Sequence, residues 1–249
     1  MKSPRSIDIA TAFDLTLPTI EADLALDEAL LIAADERGAG ASLRFWEARE
    51  VAVVLGATGK LLEDVDVNAC RADCVTIARR SSGGGTVVVG PGALNVSLVL
   101  ASNAAPGLGA VDRAQAFVLE RIAQALRTLG VAAEVRGHGD VTINGRKCAG
   151  SAQRRLRDYF LVHATVLYGF PLSLISRYTT LPRRQPAYRA GRSHADFVVN
   201  LERSRDELVR AIGRAWCETS EWAPSSIPED LVSHLVETKF GTKEWVERL

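Results

Sequence analysis

The chain has 249 residues, of which 47% are hydrophobic, and this is enough to bury the core of one large domain or two small ones. Lysine plus arginine and aspartate plus glutamate each number 30, so the formal net charge is zero, which argues against nucleic acid or a membrane surface as an electrostatically held partner. The four cysteines form no CxxC pair, no apolar run is long enough to cross a bilayer, and residues 1–5 do not begin a signal peptide, so we predict a cytoplasmic protein without a disulfide framework or a metal site.

The first half of the chain is predicted to open with a helix. Residues 21–37 alternate acidic residues with leucine and alanine at helical spacing, and Gly38 is expected to end that helix. Five strand-like runs follow, at 43–46, 51–56, 74–79, 86–89 and 95–100. The turn Gly90-Pro91-Gly92 predicts that the last two of these runs pair as a hairpin.

The second half mixes helices and strands without a regular βαβ order. Residues 111–129 carry an apolar stripe and predict a helix. Asn144-Gly145 lies between strand-like runs at 140–143 and 146–149, and this pair favours a tight hairpin because both residues tolerate positive φ. The remaining predicted elements are a strand at 160–167, a polar loop at 183–194 and a helix capped by Ser204 and Glu207. This order predicts an α+β architecture, with a mixed, mostly antiparallel sheet flanked by helices.

A glycine-rich segment leaves the run at 74–79, with the sequence Arg79-Arg80-Ser81-Ser82-Gly83-Gly84-Gly85-Thr86. Three consecutive glycines permit positive φ and allow a ligand to approach the backbone, whose N–H groups can then bind phosphate. The two arginines add charge suited to phosphate or carboxylate oxygens. The segment predicts an anion-binding loop, and a flexible surface loop is the alternative.

A lysine follows the Asn-Gly turn, at Lys147, and small residues come after it at Ala149, Gly150, Ser151 and Ala152. Such a lysine sits on rigid backbone with space beside it for a ligand. It could bring together a carboxylate and an α-phosphate, since stabilising developing charge is usually the largest catalytic contribution. An ordinary solvated lysine is the alternative.

These two segments resemble the lipoate–protein ligase A family. The glycine-rich segment is similar to that family's RRSSGGG motif, and residues 140–153 followed by His163-Ala164-Thr165 resemble its lysine motif and the His-Gly-Thr that follows. Weaker matches lie at residues 24–30, at Asn95 and at residues 239–245. The resemblance runs from about residue 20 to the C-terminus, and it implies the biotin/lipoate ligase catalytic fold.

The resemblance implies a two-step reaction with lipoate, ATP and Mg²⁺. Lipoate is activated to lipoyl-AMP, and the lysine of a lipoyl acceptor domain protein then attacks the mixed anhydride. Lys147 is expected to contact the acyl group and the α-phosphate. Asp140 would orient the acceptor amine or take its proton, unless it only caps the turn. The residues expected to bind substrate or adenylate are Arg79, Arg80, Ser81, Ser82, Gly83, Gly84, Gly85, Asn95, Gly150, Ser151, Ala152 and His163. A satisfied core histidine is the alternative for His163.

The chain departs from many members of the family at its C-terminus. It ends just after Trp245, so residues 1–249 are expected to form a single catalytic domain without a C-terminal accessory domain, with a separate accessory-domain protein as a candidate partner. The resemblance implies that residues 183–194 correspond to the family's adenylate-covering loop, whose arginines and histidine could reach phosphate; an exposed basic loop is the alternative.

Two other functions stay open from the sequence. A related octanoyltransferase would need a cysteine nucleophile, which the resemblance leads us to expect in the loop upstream of the lysine. Residues 131–139, which form that segment, contain no cysteine. Cys148 should point to the opposite strand face from Lys147. A non-catalytic lipoyl-AMP-binding subunit is the other alternative, and the lysine at position 147 argues against it.

Overall fold

Two β-sheets form the framework of the computed structural model, which describes residues 7, 9–182, 184–217 and 227–249. The strands are β1 (Thr11–Asp14), β2 (Ser42–Trp46), β3 (Ala52–Leu55), β4 (Thr76–Arg79), β5 (Val87–Val89), β6 (Ala93–Ala101), β7 (Ala133–Arg136), β8 (Asp140–Ile143), β9 (Arg146–Arg155) and β10 (Tyr159–Leu167). The larger sheet has the order β1-β2-β6-β10-β9-β8-β7, and the smaller one has the order β4-β3-β5. The β1–β2 and β3–β4 pairs are parallel and the other pairs are antiparallel, so the predicted fold class is confirmed.

Helices flank both sheets. Within the described residues they are α1 (Ile20–Arg37), α2 (Leu61–Asp64), α3 (Val67–Ala72), α4 (Val111–Thr128), α5 (Ser173–Tyr178), α6 (His194–Phe197), α7 (Arg205–Arg214), α8 (Glu229–Leu235) and α9 (Lys243–Val246). A 3-10 turn, Ala187–Arg189, and a π-helical segment, Val236–Phe240, complete them. None of the helices in this part of the chain is long and apolar enough to cross a membrane.

The larger sheet separates two layers of core. On one face, α4 and α7 pack against inward-facing residues of the central strands, such as Leu98 and Val162. On the other face lie α1 and the smaller sheet, whose Val54 and Ala78 pack in one cluster with the apolar residues of α1. Because side chains alternate along a strand, every second residue of β6, β9 and β10 faces this second layer.

Several predicted elements are confirmed. The helix predicted at 111–129 is α4, and the strand predicted at 160–167 is β10. Strands β8 and β9 pair around Asn144 and Gly145, whose φ values are 51° and 71°. Ser204 and Glu207 form the predicted capping box at the start of α7.

The predicted hairpin between the runs at 86–89 and 95–100 is wrong. The turn exists, with the amide of Ala93 bonded to the carbonyl of Gly90. However, β5 pairs with β3 in the smaller sheet, whereas β6 pairs with β2 and β10 in the larger one. Gly92 is pressed so closely against the backbone of Gly169 that an added Cβ would lie 2.3 Å from its carbonyl carbon. The turn therefore carries the chain from one sheet to the other.

The polar segment predicted as a loop at 183–194 is only partly irregular. It includes the 3-10 turn Ala187–Arg189, and α6 begins at its end. Arg183 and residues 1–5, on which the argument about a signal peptide rests, lie outside the described residues.

Candidate functional site

A row of site residues crosses four neighbouring strands of the larger sheet. Asn95 on β6 is paired with Thr165 on β10, Thr165 with Gly150 on β9, and Gly150 with Asp140 on β8. The Thr165 hydroxyl donates a 2.7 Å hydrogen bond to Oδ1 of Asn95, which is buried. The sheet thus brings predicted residues that are up to 55 positions apart (95 to 150) into one line.

Lys147 lies at the Asp140 end of this row. Its Nζ is 2.6 Å from Oδ1 of Asp140, and the Lys147 side chain is 29% exposed. The β8–β9 pairing shifts register between Val141 and Thr142, so β9 gains one residue there. An added Cβ at Gly150 would lie 2.6 Å from both Cε and Nζ of Lys147, so the end of the lysine side chain lies directly over this glycine. The ammonium is therefore held against the sheet but remains accessible.

The glycine loop, residues 79–86, lies over the same face of the sheet. Gly84 has a φ of +85°, and a Cβ on it would lie 3.6 Å from the Cβ of Ala152. Gly150 and Ala152 are two residues apart on β9, roughly 7 Å along the strand. The lysine and the exposed bend at Gly84 and Gly85 therefore face one common surface.

The two arginines of the loop are turned toward protein acceptors. Arg80 is buried and donates to Ser82 Oγ at 3.0 Å and to the carbonyls of Gly83 at 2.6 Å and Gly85 at 2.8 Å. Burial lowers its pKa to about 10, which leaves it charged at neutral pH. Arg80 thus holds the loop in its bent shape from inside.

Arg79 anchors the C-terminal segment to the smaller sheet. Its fully buried guanidinium donates to the carbonyls of Gly56, Gly59 and Val246, and the indole of Trp245 donates to the Arg79 carbonyl at 2.7 Å. In this arrangement Arg79 supports the strand that leads into the loop, and its guanidinium does not face the surface shared by Lys147 and Gly84.

A buried polar chain runs beneath the glycine loop. Ser82 Oγ lies 2.5 Å from Nε2 of His163, and Nδ1 of His163 lies 3.3 Å from Oδ2 of Asp27 on α1. The Ser97 hydroxyl also donates to Oδ2 of Asp27, at 2.7 Å, and Arg44 donates to Oδ1 at 2.8 Å. The chain links the loop to the sheet and to α1, so the loop is supported from below by charge-assisted hydrogen bonds.

The directions of the hydrogen bonds along this chain follow from its buried carboxylate. Burial opposes ionisation of Asp27, but the hydrogen bond from His163 and the charge of Arg44 outweigh it, so the pKa of Asp27 lies below its ordinary value. An ionised Asp27 only accepts hydrogen bonds, so Nδ1 of His163 must donate. In the neutral imidazole, Nε2 then accepts from the Ser82 hydroxyl, which itself accepts from Nε of Arg80.

Asp27→Asn is predicted to lower the free energy of unfolding by about 3 kcal/mol, because it leaves Arg44 short of a buried counter-charge and directs an NH₂ group at existing donors. Urea unfolding followed by circular dichroism measures the change. Asp158→Asn is the matched control, since Asp158 is exposed and should change stability by less than about 0.5 kcal/mol. Equal stability of the two variants would contradict the assignment of Asp27 as the anchor of this chain.

The structure does not bring every predicted residue to this surface. Ser151 points to the α4 side, where its hydroxyl donates to the Gly139 carbonyl at 3.1 Å and accepts from Gln115 at 2.8 Å. Ser81 is buried at the base of the loop. Cys148 lies in the core on the α4 side and is fully buried, and burial raises its pKa to about 12.

Sequence reasoning assigned no role in the site to four residues that support it: Asp27, Arg44, Ser97 and Thr165. Asp23 and Asp27 are four positions apart on α1, so they lie on one helical face, and both bond to Arg44. That spacing was the available signal, but paired acids on a helix are usually solvated, so the spacing alone did not point to a buried site.

The chain is similar to known lipoate ligases and to a related transferase. The family model described as the lipoyl protein ligase A/B catalytic domain matches residues 19–212. A protein of Aeropyrum pernix that carries the name lipoate-protein ligase A is 34% identical over 213 residues, which are 85% of this chain and 74% of that protein. The chain spans only 46% of a further relative from Mycoplasma genitalium that carries the same name. An octanoyltransferase of Symbiobacterium thermophilum is 25% identical over 90% of this chain and 92% of its own length.

Solved structures share the fold over almost the whole chain. The bi-partite lipoate protein ligase of Thermoplasma acidophilum, studied with its E2 lipoyl domain, superposes with a TM-score of 0.81 at 25% identity and covers 96% of both chains. A lipoate-protein ligase A solved with ATP bound gives the same TM-score and identity, over 97% of this chain and 100% of that one.

Proposed function

The chain belongs to the lipoyl protein ligase A/B catalytic domain family and is an enzyme of the ligase class, and from this premise we propose that it activates lipoate with ATP and transfers the lipoyl group to a lysine of an acceptor domain. The observation that carries the proposal is the common surface formed by the Lys147 ammonium and the glycine bend at Gly84 and Gly85. A cation beside free backbone donors suits the mixed anhydride of a carboxylic acid and a nucleotide.

In the first half reaction a lipoate carboxylate oxygen attacks the α-phosphorus of ATP, and pyrophosphate leaves. Both reactants are anions, so their approach is opposed by charge. The Lys147 ammonium would lie between them and offset the repulsion, with the glycine loop supplying backbone N–H groups to the phosphate. The chain beneath the loop, from Ser82 through His163 to Asp27, would keep that bend in one shape.

In the second half reaction the neutral amine of the acceptor lysine attacks the acyl carbon of lipoyl-AMP. The bond from that carbon to the phosphate oxygen breaks, AMP leaves, and an amide forms. The attacking nitrogen must lose a proton, and Asp140, whose carboxylate lies beside Lys147, would receive it.

Mg²⁺ is proposed to arrive with the nucleotide. No cluster of three or more metal-ligating side chains is found among the described residues. Magnesium in nucleotide enzymes is commonly held by one or two carboxylates together with substrate phosphates. Both oxygens of Asp140 are engaged, one by Lys147 and the other by Tyr188, so the substrate phosphates would hold the ion, which would supply charge neutralisation there.

The proposed partners are a lipoyl acceptor domain and a separate accessory protein. The similar Thermoplasma ligase is bi-partite and was studied with an E2 lipoyl domain, and the curated relative from that organism is named subunit 1 of a lipoate-protein ligase A. We therefore propose that residues 1–249 act as the catalytic unit and that adenylation is enhanced by an accessory partner.

Octanoyl transfer without ATP is the second candidate, because an octanoyltransferase is among the relatives. That chemistry through a cysteine needs an accessible thiolate. Cys148 is fully buried, its Sγ lies 3.3 Å from the Val141 carbonyl, and its pKa is raised to about 12. These properties favour the ATP-dependent reaction.

Lipoate-dependent exchange of labelled pyrophosphate into ATP tests the proposal, run with and without an accessory-domain protein. Exchange that requires lipoate is the expected result. Acyl transfer from octanoyl carrier protein without ATP would favour the transferase instead. Binding of lipoyl-AMP without exchange or transfer in either mixture would identify a binding subunit and refute the proposal.

A further inference from the structure

A tyrosine outside the proposed catalytic groups holds the second oxygen of Asp140. The Tyr188 hydroxyl donates a 2.6 Å hydrogen bond to Oδ2, while the Lys147 ammonium lies 2.6 Å from Oδ1. Burial and the bond to Asp140 raise the pKa of Tyr188, so its hydroxyl remains a donor at neutral pH. The carboxylate of Asp140 is thus held by a neutral hydroxyl at one oxygen and by a charged ammonium at the other.

The segment that carries Tyr188 is fastened to the lysine hairpin. Nη2 of Arg192 donates both to the Tyr188 carbonyl at 2.8 Å and to the Gly145 carbonyl at 3.0 Å. Further along, the amide of Val199 donates to the Lys147 carbonyl at 2.9 Å. The Tyr188 ring packs on Phe197, with 5.3 Å between ring centroids. Tyr188 therefore moves with the hairpin, and its hydroxyl is held in a fixed position.

The two partners of Asp140 differ in mobility. The Lys147 ammonium is a compact charge at the end of a flexible stem, and the Lys147 side chain is 29% exposed. An anionic acyl phosphate on the common surface would draw the ammonium toward itself. Tyr188 has no charge to respond in this way and would stay bonded to Oδ2.

We propose that Tyr188 is a positioning residue for acyl transfer, which keeps Asp140 aimed at the acceptor amine after Lys147 has turned to the acyl phosphate. The inference rests on the proposed function. Oδ1 of Asp140, released by Lys147, takes the proton that the amine nitrogen loses as the carbon–nitrogen bond forms and the carbon–oxygen bond to AMP breaks. The proton then passes to water when the products leave.

Measuring the two half reactions separately distinguishes this positioning role from a general contribution to the stability of the fold. We expect Tyr188→Phe to lower kcat for transfer from preformed lipoyl-AMP to a small lipoyl domain about tenfold, with the KM for the acceptor unchanged, while pyrophosphate exchange changes much less. Phenylalanine keeps the contact with Phe197 and removes only the hydroxyl. Tyr168→Phe is the matched control, since it removes a tyrosine hydroxyl that is 2.7 Å from the Glu47 carboxylate, away from the site.

A double variant tests whether Tyr188 acts through Asp140. In an Asp140→Asn background, Tyr188→Phe should cause no further loss of transfer, because the group that it positions is gone. Equal losses in both half reactions, no loss in either, or additive losses in the double variant would each overturn the inference. If the unmodified chain performs neither half reaction, the proposed function itself fails, and the inference falls with it.

Discussion

Lys147→Ala is expected to lower the rate of lipoyl-AMP formation by about 10²–10³-fold, the usual cost of removing one group that stabilises developing charge. The fold should be unaffected, because the Lys147 side chain is part-exposed and its removal leaves Asp140 bonded to Tyr188. Lipoate-dependent pyrophosphate exchange measures the rate, and thermal unfolding checks the fold.

Lys243→Ala provides the control for this variant. Lys243 is 77% exposed on α9 and should change neither exchange nor unfolding temperature appreciably. Lys147→Arg keeps the charge but replaces the compact ammonium with a planar guanidinium, so it separates the contribution of charge from that of shape. Normal exchange in Lys147→Ala would remove the lysine from the proposed mechanism.

The lysine hairpin was predictable because its determinants are local. Asn144 and Gly145 both adopt positive φ in the turn, which asparagine tolerates and which glycine, without a Cβ, adopts freely. The alternation of strand side chains also placed Cys148 on the core side, away from Lys147. Turn chemistry and strand periodicity act over a few residues, so a single sequence is enough to reveal them.

The roles of the loop arginines were not predictable, because they depend on distant carbonyls. Arg79 bonds to Val246, which is 167 positions away, and to Gly56 and Gly59 on the β3 side. As an arginine, Arg79 is expected to carry a permanent charge and several N–H donors. No neighbouring residue in the sequence indicates which carbonyl oxygens will accept those hydrogen bonds. The same limit applies to the glycine turn before β6, whose residues predict a reversal of the chain without specifying that it changes sheets.

The burial of acidic side chains on helix α1 could not be predicted from the local sequence either. Its alternation of acidic residues with leucine and alanine predicts the helix but not the burial of its acids, and Asp23, Asp27 and Glu28 are all buried. Each has a cationic partner from another part of the chain: Arg44 serves both aspartates, and Lys239 lies 2.6 Å from Glu28. Charged residues are buried in this way only when paired, and the pairing is a property of the tertiary structure.

Gly84→Val is expected to abolish the protection of the chain by ATP against proteolysis. Gly84 has a φ of +85°, which a β-branched residue strongly disfavours, and its added Cβ would lie 3.0 Å from Nη2 of Arg80. The valine would have to displace the guanidinium that holds the loop carbonyls or open the bend itself. Either movement would remove the backbone donors proposed to bind phosphate, so nucleotide binding should fail together with pyrophosphate exchange.

The effect on binding has to be distinguished from the strain of a valine at positive φ, which costs about 1–3 kcal/mol by itself. Gly38→Val supplies that comparison, since Gly38 ends α1 with a φ of +69° and has no atom within 4 Å of an added Cβ. Gly38 caps the C-terminal end of α1, eleven residues after Asp27, so it lies roughly 16 Å from Asp27 along the helix axis. Both variants should lose stability, but only Gly38→Val should keep nucleotide protection. If Gly84→Val keeps it too, the glycine bend does not line the nucleotide site, and the common surface with Lys147 loses its proposed role.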